Sequence, residues 1–231
     1  MQDTTILITG ANRGIGLELA TQFAAHGWNV FACCRDPDNA DELATLSGQY
    51  PQLEVMALDV TDYAQMARLS AQLHDRPIDV LLSNAGIYGP KGVGFGEVDP
   101  ADWREVLEVN TVAPLMLAQA FVEQVAASRQ KLIAVIGSKM GSIAGSKGGS
   151  YIYRSSKTAV NQLVKSMSID LAGRGISVIS LHPGWVQTDM GGPDADVTIA
   201  DSAAGLRGIL ETAGSAQNGA FVDYNGEPLP W

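Results

Sequence analysis

The stretch Thr4-Thr5-Ile6-Leu7-Ile8-Thr9-Gly10-Ala11-Asn12-Arg13-Gly14-Ile15-Gly16 decides how the chain is read. Its first six residues are uncharged and rich in β-branched side chains, as in a strand buried on both faces. The glycine-rich turn opens into Leu17-Glu18-Leu19-Ala20-Thr21-Gln22-Phe23-Ala24, an amphipathic helix. Strand, glycine turn and helix in this order bring backbone N–H groups and a helix N-terminus against a pyrophosphate. After Gly27 a second strand, Asn29 to Cys34, completes a βαβ unit. The glycines fall as Gly-x-x-x-Gly-x-Gly rather than Gly-x-Gly-x-x-Gly. Taken alone, the stretch also admits a glycine turn that holds no ligand.

Working outward, strand-like runs fall at Thr4–Thr9, Asn29–Cys34, Leu53–Leu58, Ile78–Ser83, Lys131–Ile136, Ile176–Leu181 and Ala220–Asp223. Helix-like runs fall between them at Ile15–His26, Ala40–Ser47, Ala64–His74, Pro100–Ser128, Tyr151–Gly173 and Ile199–Ala213. Such alternation predicts an α/β fold: a Rossmann-type, doubly wound, seven-stranded parallel sheet with helices on both faces. No repeat or low-complexity linker divides the chain, so residues 1–231 are expected to form a single domain. Right-handed crossovers then place ligands at the C-terminal ends of the strands, near the switch in strand order.

A formal net charge of -10 argues against a nucleic-acid partner, which would need a basic face. The two cysteines, Cys33 and Cys34, are adjacent in a buried strand, which disfavours a stabilising disulfide. No metal-ligand cluster is expected. No signal peptide and no apolar run long enough to span a bilayer are read in the sequence, so the expectation is a cytoplasmic enzyme without a membrane partner.

Tyr153-Arg154-Ser155-Ser156-Lys157 places a phenol and an ammonium four residues apart, on one face of a helix. A cation about 4 Å from a phenol, at an effective dielectric near 20, favours the phenolate by roughly 4 kcal/mol, or about three pKa units. That would bring a tyrosine toward the operating pH, where a general acid–base works best. Tyr151 is a weaker candidate, since position 155 is Ser and offers no cation. Asp99-Pro100 reads as a cap with a first-turn proline. Pro114, inside the same helix, has no N–H to give the Asn110 carbonyl, so a kink is expected there.

Thr9-Gly10-Ala11-Asn12-Arg13-Gly14-Ile15-Gly16, Asp59-Val60, Asn84-Ala85-Gly86, Asn110, Ser138, Tyr153 with Lys157, and Pro183-Gly184 stand in one order over almost the whole chain. In that order and spacing the sequence resembles the short-chain dehydrogenase/reductase family. Cys34-Arg35-Asp36-Pro37, Lys139-Met140-Gly141-Ser142-Ile143, Tyr153 to Lys157 and the closing Pro228-Leu229-Pro230-Trp231 resemble its C-factor and sniffer-like carbonyl reductase branch.

The resemblance implies a nicotinamide cofactor held by Gly10, Asn12, Arg13, Gly14, Ile15 and Gly16. Asp59 and the Val60 backbone would meet the adenine, although Asp59 also reads as a cap for the helix starting near Asp62. Asn84, Ala85 and Gly86 would let the backbone approach the ribose; Ser83 stands where many relatives carry Asn. Pro183, Gly184, Val186 and Thr188 would flank the nicotinamide, with His182 before them more structural than catalytic. At the end of the second strand, Cys34 occupies the place of the acid that bonds a free ribose 2′-OH. Arg35 follows, and with Arg13 it would favour a 2′-phosphate and hence NADP(H). Asp36 leaves this open, since it could pair with Arg35 or itself reach the ribose.

For catalysis the resemblance implies Tyr153 as general acid, Lys157 tuning it and bonding the nicotinamide ribose, Ser138 orienting the substrate oxygen, and the Asn110 main chain organising a proton relay. Ser142 is the substitute for Ser138. The expected activity is reversible hydride transfer between NADPH and a small-molecule carbonyl, aldehyde or ketone, giving an alcohol. A dinucleotide-binding signalling protein is the alternative, and reduction of a carrier-linked ketone is a weaker third. The pocket walls, 88–96, 140–149 and 185–197, read as moderately apolar, without a charge for gripping a charged substrate and under a small lid. Association through the two long helices into a homodimer or homotetramer is expected.

Overall fold

A computed structural model describes residues 4–231. Seven strands among them form one parallel sheet: β1 (Thr5–Thr9), β2 (Asn29–Cys34), β3 (Leu53–Ala57), β4 (Val80–Ser83), β5 (Leu132–Ile136), β6 (Ser177–His182) and β7 (Phe221–Asp223). Their order is β3-β2-β1-β4-β5-β6-β7, so strand order reverses between β1 and β4. That reversal opens the crevice in which such sheets take ligands.

Alternation along each strand sends successive side chains to opposite faces, and both faces are covered. Ile6 and Ile8 of β1 join a core with Leu19 and Phe23 of α1 (Gly14–Ala25), Leu43 of α2 (Asp41–Gln49) and Leu206 and Leu210 of α7 (Ile199–Thr212). Leu7 turns the other way, toward Met66 of α3 (Tyr63–Gln72), Phe121 of α5 (Ala113–Ala127) and Val164 of α6 (Tyr151–Asp170). This is why β1 reads as an unbroken apolar run rather than an alternating one.

The predicted Pro100–Ser128 helix is continuous but not uniform. It comprises α4 (Pro100–Leu107), a π turn over Glu108–Val112, and α5. Asp99 caps α4 by accepting from the Ala101 N–H at 2.7 Å. At the π turn the Ala113 N–H reaches back to the Glu108 carbonyl. The missing N–H of Pro114 is thus absorbed by a one-residue bulge, a feature frequent at functional sites.

One sequence expectation needs correcting. The 28-residue span Pro100–Ala127 is long and apolar enough, by length and composition, to cross a membrane. Leu117, Ala118, Phe121 and Val125 of this span pack in the core of the sheet's second face.

Candidate active site

The ends of β1 and β4 are laced together. The Asn84 amide donates to the Thr9 carbonyl at 2.8 Å and to the Gly10 carbonyl at 3.1 Å. The Thr9 hydroxyl accepts from the Asn84 and Ala85 N–H groups at 3.0 and 3.1 Å. Thr9 is therefore part of the site's frame, a role that its place at a strand end did not reveal. Gly10 has φ +66°, and a side chain there would press on Ala85. A Cβ on Gly16 would lie 2.3 Å from the Gly10 carbonyl oxygen. The loop is a cradle that only glycine fits. Arg13, at the N-cap of α1, provides no side-chain cap, and the first turn carries no acid. The first N–H groups of α1 therefore remain available to an anionic ligand.

A cleft of about 1920 Å³ runs across these strand ends. Ligand pockets usually span about 300–1,000 Å³, so this one has room for a dinucleotide and a substrate together. Gly10, Asn12, Arg13, Gly14, Ile15, Gly16, Arg35, Asp59, Val60, Asn84, Ala85, Gly86, Ser138, Tyr153, Lys157, Pro183, Gly184, Val186 and Thr188 all line it. Asn110 lies just behind the wall.

Cys34 is the last residue of β2, as the sequence register required. Asp36 accepts from the Asn39 amide at 2.7 Å rather than pairing with Arg35. Arg35 stands exposed beside the cleft and helps hold the Asp59 carboxyl below its usual range, after the hydrogen bond from the Thr61 backbone. Asp59 accepts from the Thr61 N–H and hydroxyl at 2.9 and 2.7 Å. Asp62, not Asp59, caps α3 by accepting from the Gln65 N–H. Arg13 departs from expectation: its guanidinium lies 2.9 Å from Asp189, beyond β6. Both side chains are more than two-thirds exposed, so the pair is worth about 0–1 kcal/mol and yields readily to a better anion.

Ser138 ends the segment after β5 and caps a 3₁₀ turn, Lys139–Gly141. Its oxygen accepts from the Met140 N–H at 3.1 Å, and the hydroxyl also meets the Tyr153 phenol. The turn is pressed onto α6, where a Cβ on Gly141 would come within 2.6 Å of the Lys157 backbone. Thr158 donates to the Gly141 carbonyl and Arg154 to that of Met140. Ser142 is committed elsewhere: it donates to the Trp231 backbone oxygen and accepts from the Gly145 N–H. Of the two serines, Ser138 is the one that lines the cleft. Tyr151 is 43% exposed and outside the cleft.

Tyr153 and Lys157 share the inward face of α6, both nearly inaccessible. The Lys157 ammonium donates to the Ile136 carbonyl at 2.8 Å and lies 5.8 Å from the Tyr153 ring centroid. Here burial works against the electrostatic expectation. Burial pushes the Tyr153 phenol up to about 12, partly offset by the Ser138 hydroxyl and reinforced by Tyr88. Burial also brings the Lys157 ammonium down to about 8. Removal from water disfavours the charged form of each group, opposite in direction to their mutual attraction.

Asn110 acts through its side chain. Its oxygen accepts from the Ile87 N–H at 2.9 Å, and its amide donates to the Ile87 carbonyl and the Ser156 hydroxyl at 2.8 and 3.0 Å. Thr111 donates to the Ser156 carbonyl. The π turn is thereby fastened to both the β4–α4 loop and α6. The sequence, read for the Asn110 main chain, did not disclose these ties. His182 is half of what was expected: a wall residue whose Nδ1 has no partner, driven down to about 4 mainly by burial.

The segment after β6 is tied across the cleft by Arg13–Asp189 and by Lys91, whose ammonium donates to the Met190 carbonyl at 3.0 Å. Lys91 lines the cleft, so the substrate wall does carry a positive charge, contrary to the sequence reading.

Residues 4–197 match the family model for short chain dehydrogenases. The chain belongs to the short-chain dehydrogenase family. The C-signal of Myxococcus xanthus is 41% identical over 156 residues, 67% of this chain and 93% of that protein. Among solved structures, the carbonyl reductase Sniffer of Drosophila melanogaster superposes with a TM-score of 0.92 at 35% identity, both chains fully covered. A carbonyl reductase from Pseudomonas aeruginosa, solved in complex with NADP, does so at 0.90 and 38% identity, again over both whole chains. The candidate site of this short-chain dehydrogenase lies at the β1–β4 crevice.

Proposed function

We propose that residues 1–231 form one NADP(H)-binding domain whose activity is reduction of an aldehyde or ketone to an alcohol. The residues suit the cofactor. The Gly10–Gly16 cradle and the open N-terminus of α1 would take the pyrophosphate, Asp59 and Val60 the adenine, and Arg35 the 2′-phosphate, with Arg13 released from Asp189. Pro183, Gly184, Val186 and Thr188 would border the nicotinamide, beside Asn84, Ala85 and Gly86. When bound, NADPH supplies the hydride.

The chain's own residues would manage the oxygen and its proton. Ser138, its acceptor capacity engaged by Met140, would donate to the substrate oxygen. Tyr153, protonated at neutral pH as an ordinary tyrosine is and held so further by burial, would give its proton as negative charge grows on that oxygen. Lys157, close to titration, would hold the ribose side of the site and restore the phenol's proton. Asn110 would keep the β4–α4 loop and α6 in register. The convergence of Ser138, Tyr153 and Lys157 on one cleft beside a glycine cradle carries this reading. Tyr153→Phe is expected to retain NADPH binding while turnover falls by about 10²–10⁴-fold, the usual contribution of a general acid. Retention of most turnover would end the assignment.

The relationship to the C-signal supports a second reading, a dinucleotide-binding signalling protein. NADPH binding without consumption across aldehydes, ketones and diones would favour it. A dimer or tetramer through α4–α5 and α6, in the cytoplasm, completes the proposal; Trp103, Val112 and Ile169 on those helices are exposed.

A further inference from the structure

Tyr153 sits in the first turn of α6, the part of a helix least restrained by its own hydrogen bonds. The entry to that turn is poorly fixed. Gly148, Gly149 and Ser150 all have positive φ, and Ser150, the N-cap, provides no side-chain cap. Beside the phenol lies a cavity of about 220 Å³, lined by Tyr88, Pro90, Val98, Ser150, Ile152 and Tyr153 itself. Close packing therefore does not by itself hold the ring on this side.

Tyr88 meets both needs. Its ring stacks on Tyr153 with centroids 4.5 Å apart and planes 20° from parallel. Its hydroxyl lies 3.0 Å from the Ser150 hydroxyl. Tyr88 is itself well anchored, since its neighbour Ile87 is held at both backbone groups by Asn110. A Cβ on the next residue, Gly89, would come within 2.7 Å of Val106, so the loop lies hard against α4. On this side of the phenol, the well-held β4–α4 loop reaches Tyr153 through the Tyr88 ring. We propose that Tyr88 is a positioning residue for the proton donor: its stack fixes the Tyr153 ring, and its hydroxyl secures the uncapped start of α6. This rests on the reading of Tyr153 as general acid.

The test compares Tyr88→Leu, Tyr88→Phe and, as a control on the underlying reading, Tyr153→Phe. Tyr88→Leu removes stack and tether; the expected loss in kcat is about tenfold, from the share of misplaced rings that one stacking contact suppresses. NADPH dissociation, followed by cofactor fluorescence, should stay within about twofold, because Tyr88 is remote from the glycine cradle. The alkaline limb of the reduction profile should move to lower pH, since Tyr88 keeps water and phenolate charge from the phenol. Tyr88→Phe keeps the stack and should retain most of kcat. Unchanged kcat and pH profile in Tyr88→Leu, or a loss matched by equal loss of folded protein or NADPH binding, would overturn the role of Tyr88. Turnover surviving in Tyr153→Phe would instead overturn the reading beneath it.

Discussion

Replacing Lys157 by Met tests the balance of forces at the centre of the site. The ammonium is 5% exposed and donates to the Ile136 carbonyl. Its folded-state titration falls to about 8, from the ordinary 10.5, through burial. In the unfolded chain the proton is kept up to the ordinary value. Between the two, the unfolded chain binds more protons than the folded one, so folding stability rises with pH across that window. The gap corresponds to about 3 kcal/mol, gained by the wild type and not by a variant without the amine. At neutral pH the variant is spared a buried charge but leaves a carbonyl without its donor, a cost of about 1–3 kcal/mol. The neutral value is therefore uninformative, and the pH dependence carries the test. Urea unfolding of both proteins, without cofactor, from about pH 7 to about pH 10.5 gives two stability curves. Their difference cancels Tyr153 and every other shared group. The wild-type curve should climb relative to Lys157→Met by about 3 kcal/mol across the window. Parallel curves would refute the claim that burial governs this amine.

Two further perturbations probe the cofactor side. Gly16→Ala drives a methyl to 2.3 Å from the Gly10 carbonyl and 2.5 Å from the Asn84 amide. Its NADPH dissociation constant should rise by at least about tenfold, measured by fluorescence, with a lowered melting temperature from overpacking. Arg35→Asp places a carboxylate where a 2′-phosphate is expected. NADPH affinity should fall by about 10–100-fold while NADH affinity holds or improves; equal loss of both would remove Arg35 from recognition.

The frame of the molecule was legible because it follows from local chemistry. Apolar β-branched runs became strands within one or two residues of their expected ends. Gly10, Gly14 and Gly16 were readable because a strand turning straight into a helix leaves no room for side chains. The register at Cys34 could be counted from the motif, and the structure places that residue at the end of β2. What stayed hidden depends on contacts between distant segments. The Asn84 laces to Thr9, the Asn110 clamp on Ile87 and Ser156, and the stack of Tyr88 on Tyr153 join residues 23 to 75 positions apart. No periodicity records them. The apolar helix was misjudged for a related reason: length and composition are the same whether a helix meets lipid or a sheet.

The phenol shows most plainly what spacing alone leaves out. A four-residue spacing gives proximity, and proximity suggested a phenol made acidic by its neighbour. Yet the same helical face that brings Tyr153 and Lys157 together also carries both out of water. Desolvation acts on each group separately and pushes both toward neutrality, whereas attraction acts only when both are charged. The ammonium lies 5.8 Å from the ring centroid, with its hydrogen bond directed at Ile136. A carbonyl accepting hydride needs a proton at its oxygen, and a tyrosine phenol carries one at neutral pH even in water. Burial of one helical face extends that protonated range upward, which favours the form that the proposed reduction uses over the one that alcohol oxidation needs.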